Sequence, residues 1–496
     1  MAEENLKSKT ISSMIWTATQ RFGVLILGFV SNLVLAHFLS ADDYGVIGMI
    51  SIFITLAETI TDSGLGAALI QKENPTEVDY STVFWSNLII SIILYIILFF
   101  AAPAIAHFYN MDVLVKILRI KALIIILQGL RLIQTTILQK NLNFKKISII
   151  YLTASVISTI VAIVLAVLGW GLWSLVVKTL LDISVRTALF WIFGNWKPKF
   201  QFSKVSFKQL FSYGFVMLIT SLIITLYGEG QGLIIGKAFS AATLGYYTQA
   251  KKLQEIPTNA ISQIVNQVTF PVFAKLKDNT EKMKNGLKKI VVGVSYISFP
   301  MMLYFFISAS PIFNLLFSEK WNPSIPYFRY LCIVGLIDSV NMMNTNIISA
   351  TGKKGLYFRQ QVVKRIIGII LIILSVHFGM TGLLIARVLI EYIFYFINAL
   401  ATKKAINYKI IEQTIDILPN LILAVVIGVI TYFLFNFIKI PISNLKIQSL
   451  ILIIISFLIF TVSFILVSGL LHFKGFKIYK DIILQKLHKE NKNKVL

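Results

Sequence analysis

Ionisable side chains set within long apolar runs carry the chemistry this sequence has to offer. In 14–38, Thr17, Gln20, Arg21, Gly28, Ser31 and Asn32 recur at helical spacing and share one face. The planar fork of Arg21 matches phosphate oxygens; the other reading is that Arg21 snorkels to the headgroups. In 44–70, Ser51, Thr55, Glu58 and Asp62 form one stripe. Two carboxylates one turn apart repel, so Glu58 and Asp62 suit a shared proton or sodium ion, or a structural pairing with Arg21. Lys251 and Lys252 lie well inside another run, 243–272, followed by Glu255 and Pro257. This segment is an anion-site candidate, with Pro257 expected to interrupt the helix beside a cavity and Glu255 a third candidate for ion coupling. Its alternative is a helix that starts later and leaves the lysines at the interface. Lys178, Asp182 and Arg186 follow at successive i, i+4 positions, as do Arg387 and Glu391. Such ladders neutralise themselves locally, yet Lys178 and Arg387 are also candidates for lining a saccharide or phosphate path. Arg119, Lys121, Arg131, Glu229 and Asp338 complete the interior set, with Asp338 lacking an obvious local partner and Glu229 in a glycine-dense stretch, 227–232, read as a polar break.

No arrangement for catalysis accompanies these groups. There is no Walker loop, no HExxH and no GxSxG in a strand-turn-helix setting, so the chain reads as a non-enzyme. Any drive must then come from an ion gradient or the cargo's own. Cys332 is the only cysteine and the five histidines are scattered, which leaves no disulfide and no metal-ligand spacing. No cofactor is expected.

The elements that position these residues follow from composition. Of 496 residues, 57% are apolar and only 14% charged, against roughly 45–50% and about 25% in soluble domains. A soluble enzyme and a disordered basic nucleic-acid binder are both excluded. A bilayer core needs about 20 apolar residues per helix. Fourteen segments approach that length, from 14–38 to 447–471, so the fold expected is an all-α polytopic membrane protein. The net charge of +24 belongs to loops. With the N-terminus inside, the inner segments hold Lys7 and Lys9, Lys140, Lys145 and Lys146, and the lysines of 275–289, 403–409 and the tail. The outer loops hold only Lys237, Lys320, Lys439 and Lys446. Both termini are therefore expected in the cytoplasm.

An internal repeat organises the spans. Ser40-Ala41 with Gly45 recurs as Ser240-Ala241 with Gly245, and Lys178 and Asp182 answer to Arg387 and Glu391. Six spans per repeat give two lobes of the same orientation, 1–200 and 201–402, related by an axis along the membrane normal. Residues 403–496 add spans 13 and 14 and a basic tail.

Lys9-Thr10-Ile11-Ser12 with Trp16, Asp62-Ser63-Gly64-Leu65 with Ile70-Gln71-Lys72, and Leu138-Gln139-Lys140-Asn141-Leu142-Asn143-Phe144 resemble segments of the Wzx-type polysaccharide flippases. So do Phe270-Pro271-Val272-Phe273-Ala274-Lys275 and Phe317-Ser318-Glu319-Lys320-Trp321 with Pro326 and Leu331-Cys332. The resemblance covers residue 9 to about 400 and is nearest the colanic-acid-exporter branch. Its superfamily includes multidrug and toxin extrusion transporters and the lipid II flippase. The resemblance implies two alternating-access lobes and a cargo of undecaprenyl-diphosphate-linked oligosaccharide, moved from the inner to the outer leaflet of a bacterial inner membrane. It also implies cavity cations on span 1, matched by Arg21, and on span 8, matched by Lys251 or Lys252. Partners would be the lipid-linked saccharide, membrane lipid and other polysaccharide-assembly proteins, and no nucleic acid. The rival reading is an ion-coupled multidrug or cation exporter on the same fold, whose cavity should be dominated by acids.

Overall fold

The computed structural model describes the backbone of all residues except 1, 63, 277–278, 438–442 and 495–496. The side chains of Lys7, Lys9, Lys275, Lys277, Lys439 and the tail beyond Gln485, assigned above to loops, lie outside the described residues, as does most of the 270–275 motif. Among the described residues there is helix and no strand. This is what a lipid environment demands of a chain whose backbone groups must pair internally. The protein is a multi-pass, all-α membrane protein.

By contacts the chain divides into two compact units, 1–248 and 249–496. The first unit contains α1 (Ala2–Phe38), α2 (Ala41–Asp62), α3 (Leu65–Gln71), α4 (Glu77–Tyr109), α5 (Val113–Lys121), α6 (Leu123–Lys140), α7 (Phe144–Val167), α8 (Leu172–Phe193) and α9 (Lys204–Ala238). The boundary falls within α10 (Ala241–Lys275). The second unit continues with α11 (Thr280–Ile307), α12 (Ala309–Leu316), α13 (Ser324–Ala350), α14 (Lys354–Ser375), α15 (Gly379–Ile406), α16 (Ile410–Phe437), α17 (Leu445–Leu470) and α18 (Lys474–Lys494).

Ten stretches among the described residues are long and apolar enough to cross a membrane. Expected spans 11 and 12, 362–378 and 381–402, run together as 355–406. Spans 4, 6 and 8, expected at 113–138, 171–194 and 243–272, are helical, but they carry interior charges and fall outside the ten. Span 4 is not one helix: it breaks at Ala122, between α5 and α6. Two expected breaks are absent. α10 runs through Pro257 and α9 runs through 227–232 without interruption; within a membrane, packing against neighbouring helices lets a helix tolerate such residues.

The repeated corners are the same local structure. Ser40 Oγ accepts from the Asp43 amide at 3.2 Å, and Ser240 Oγ accepts from the Thr243 amide at 3.1 Å. Each serine thus N-caps the helix that follows, α2 or α10.

In the first unit, α1 packs on α7, α7 on α8, and α2 lies along α9. Three of the segments that carry the family resemblance, 62–72, 138–144 and 317–321, act in packing. Lys140 Nζ donates to the carbonyls of Leu69 and Ile70, at 3.2 Å each, and to that of Lys72. It thereby satisfies the open C-terminal end of α3. Lys72 in turn pairs with Asp79 at 2.8 Å, and Asp79 closes a capping box with Thr76 at the start of α4. Gly64 takes φ +66°, and a Cβ there would lie 2.6 Å from the Gly214 carbonyl oxygen of α9; glycine meets both demands. In the second unit, Trp321 is fully buried against Phe317, its ring 6.3 Å away.

Candidate functional site

A polar cavity of about 450 Å³ lies inside the first unit. Its walls come from periodicity. α2 supplies Ser51, Thr55 and Glu58 from one stripe, α7 supplies Ser155 and Ser158, and α8 supplies Lys178, Asp182 and Arg186 at i, i+4 spacing. α1 contributes Val24 and Gly28, while α5 and α6 contribute Lys121, Gln128 and Arg131. Lys121 ends α5, one residue before α6 begins, and is only 6% exposed.

Four cations thus face two carboxylates. Asp182 pairs with Arg186 at 2.7 Å. Lys178 Nζ donates to Ser31 Oγ at 2.5 Å. Arg131 donates through Nη1 to the Tyr151 hydroxyl at 2.8 Å, and the Arg186 guanidinium lies 4.2 Å from the centre of the same ring. The Nε atoms of Arg131 and Arg186 are both buried without a hydrogen-bond partner. Buried donors without a partner are costly. Charges set among apolar helices belong to cavities or pairs, and here the surplus sign is positive.

The structure brings Glu58 and Lys178 together in this cavity. Arg21 and Asp62 are exposed and do not line it. Lys251 pairs with Glu255 at 3.7 Å along α10, and the neighbouring Lys252 is exposed. Arg387 is bound to Glu391 at 2.5 Å in the second unit.

That pair belongs to a second buried polar cluster. Asn341 Nδ2 donates to Glu391 Oε2 at 3.1 Å, Asn398 Nδ2 donates to Asn341 Oδ1 at 2.8 Å, and Gln360 Nε2 donates to Asn398. Asp338 is within electrostatic reach of Glu391, Arg387, Glu255 and Lys364, so its missing local partners come from other helices. Lys364 is an interior residue, 7% exposed over the Phe394 ring.

Lys121, Arg131 and Tyr151 are the site residues that reading by helix face did not single out, whereas Arg186 belonged to the i, i+4 ladder of α8. Interior charge was the available signal for Lys121 and Arg131. Their convergence depends on the packing of α6, α7 and α8, which no spacing reveals.

Residues 34–326 match the family described as polysaccharide biosynthesis protein. The chain belongs to that family. Among its relatives is the lipopolysaccharide biosynthesis protein WzxC of Escherichia coli K12, 28% identical over 403 residues that span 79% of this chain and 81% of the relative. Another is the teichuronic acid biosynthesis protein TuaB of Bacillus subtilis 168, 27% identical, covering 71% of this chain and 74% of that one. In three dimensions this member of the polysaccharide biosynthesis family shares the fold of the lipid II flippase MurJ in its inward closed conformation. The TM-score is 0.74 at 17% identity, over 92% of this chain and 99% of that one. An inward-facing multidrug resistance MATE transporter shares it at TM-score 0.60 and 14% identity, over 79% and 98% of the two chains.

Proposed function

We propose that this protein is an alternating-access flippase. Its cargo would be undecaprenyl-diphosphate-linked oligosaccharide units, moved from the inner to the outer leaflet of the bacterial inner membrane for surface-polysaccharide synthesis. The observation that carries this reading is the cavity's positive surplus, inside a membrane protein of the polysaccharide biosynthesis family. An organic-cation exporter needs the opposite sign, which sets the drug-export reading second.

In this account lobes 1–200 and 201–402 rock against each other while the prenyl tail stays in lipid and the saccharide passes through polar surroundings. Lys178 acts in the cavity. Arg21, Lys251, Lys252 and Arg387 are the further cations proposed to meet phosphate or sugar. Glu58, Asp62 and Glu255 are proposed to couple transport to protons or sodium. No step of covalent chemistry is required, so the protein acts as a transporter and not as an enzyme. Both termini lie in the cytoplasm, as the basic loops favour, and other polysaccharide-assembly proteins are the natural neighbours at that face.

The test is transport itself. Purified protein in liposomes should move a fluorescent prenyl-diphosphate oligosaccharide between leaflets, read by enzymatic access to the sugar. Transport of organic cations with no movement of the glycolipid would reverse the assignment.

A further inference from the structure

We propose that the cavity lined by α1, α2, α5, α6, α7 and α8 is a diphosphate site, with Arg131 and Arg186 as its forked donors and Glu58 as a resident counter-anion that the ligand displaces. This deepens the flippase reading and rests on it for the identity of the physiological ligand. The site itself rests on geometry.

Two guanidinium groups are fixed on one tyrosine: Arg131 through its hydrogen bond to the Tyr151 hydroxyl, and Arg186 over the ring. Tyr151 therefore orients both arginines without neutralising either. Each retains a buried, unpartnered Nε–H. Guanidinium offers two parallel donors to phosphate oxygens, and two such forks suit a ligand with two phosphates. Lys121 and Lys178 line the same cavity, where they act as point charges.

The acids have different standing. Asp182 is committed to Arg186 at 2.7 Å. Glu58, from α2, has Lys121 and Arg131 as its electrostatic neighbours and no ion pair within 4 Å among the described residues. Glu229 of α9 is a further acid within reach of Lys121. With Glu58 and Asp182 ionised, the lining carries a surplus of two positive charges, which matches the charge of about −2 on a doubly esterified diphosphate. The cavity volume, about 450 Å³, lies within the ~300–1,000 Å³ typical of small-ligand sites. A ligand phosphate approaching Arg131 meets Glu58 as a competitor for the same cations. Glu58 thus offsets the buried charge when the site is empty and weakens binding when the ligand arrives.

The experiment uses the full-length protein in detergent and isothermal titration with inorganic pyrophosphate, farnesyl diphosphate and phosphatidylglycerol. Pyrophosphate and farnesyl diphosphate should both bind. Arg131→Gln and Arg186→Gln should each weaken binding by about ten- to a hundredfold, the range for a lost charge-assisted hydrogen bond. Glu58→Gln should strengthen it by about tenfold, and a gain cannot arise from misfolding. Binding unchanged in all three variants, or no pyrophosphate binding by the wild type, overturns the site. Phosphatidylglycerol that outcompetes both diphosphates makes this a phospholipid headgroup pocket and overturns the diphosphate assignment. The glycolipid assay separates the two levels of the account. Flipping at the wild-type rate by the Arg131→Gln/Arg186→Gln variant sinks the site and leaves the flippase; pyrophosphate binding without flipping by the wild type does the reverse.

Discussion

Gly45 of α2 and Gly245 of α10 face each other's helix starts in a reciprocal contact. A Cβ on Gly45 would lie 1.8 Å from the carbonyl oxygen of Ala241, and a Cβ on Gly245 would lie 1.9 Å from that of Ala41. The two copies of the Ser-Ala-x-x-x-Gly corner therefore meet about a local two-fold axis, each glycine accepting the other's backbone. Gly45→Ala and Gly245→Ala should each cost about 1–3 kcal/mol, since backbone cannot yield as a side chain can. Thermal unfolding in detergent reads this. Gly228→Ala is the control: its Cβ would meet nothing within 4 Å, so its midpoint should hold or rise slightly. Equal behaviour of all three variants would refute the contact.

This contact also shows what was legible in the sequence. The corner repeat was visible because capping needs a serine and close approach needs a glycine, and both leave an identity at a fixed position. The all-helical fold was visible because lipid leaves few alternatives to helices. The glycine-dense stretch of α9 and Pro257 misled, since each weakens a helix locally and tertiary packing overrides such weakness. The cavity was half visible: Glu58, Lys178 and Arg186 followed from stripes on single helices, whereas Lys121, Arg131 and Tyr151 join them only through the packing of separate elements.

The pair Arg387–Glu391 separates a structural from a cargo role. Arg387→Met leaves Glu391, 5% exposed, without its cation, a loss of about 3–5 kcal/mol. Arg387→Met with Glu391→Gln should recover most of the unfolding midpoint, because the amide still accepts from Asn341. If Arg387 serves only the fold, the double variant also recovers flipping. A stable double variant that does not flip assigns Arg387 to the cargo path.

Lys140 is expected to matter through α3. Lys140→Met removes a charged donor from three carbonyls and should lower stability by about 1.5–3 kcal/mol. Hydrogen exchange should show 65–71 losing protection first. Uniform loss across the first unit, with no early opening of α3, would contradict this local role.

Orientation can be read at Glu281, exposed in the first turn of α11. Glu281→Cys in a Cys332→Ala background should resist an impermeant thiol reagent in intact cells and react once the cells are opened. Labelling in intact cells would invert the assignment of the basic loops.

The most direct measurement is the initial rate of leaflet exchange of a fluorescent prenyl-diphosphate oligosaccharide in proteoliposomes, at matched protein incorporation. The wild type should exceed protein-free vesicles clearly, and Arg131→Gln/Arg186→Gln should fall toward that background while inserting normally. A wild type that leaves the glycolipid in place but drives efflux of an organic cation would contradict the flippase account.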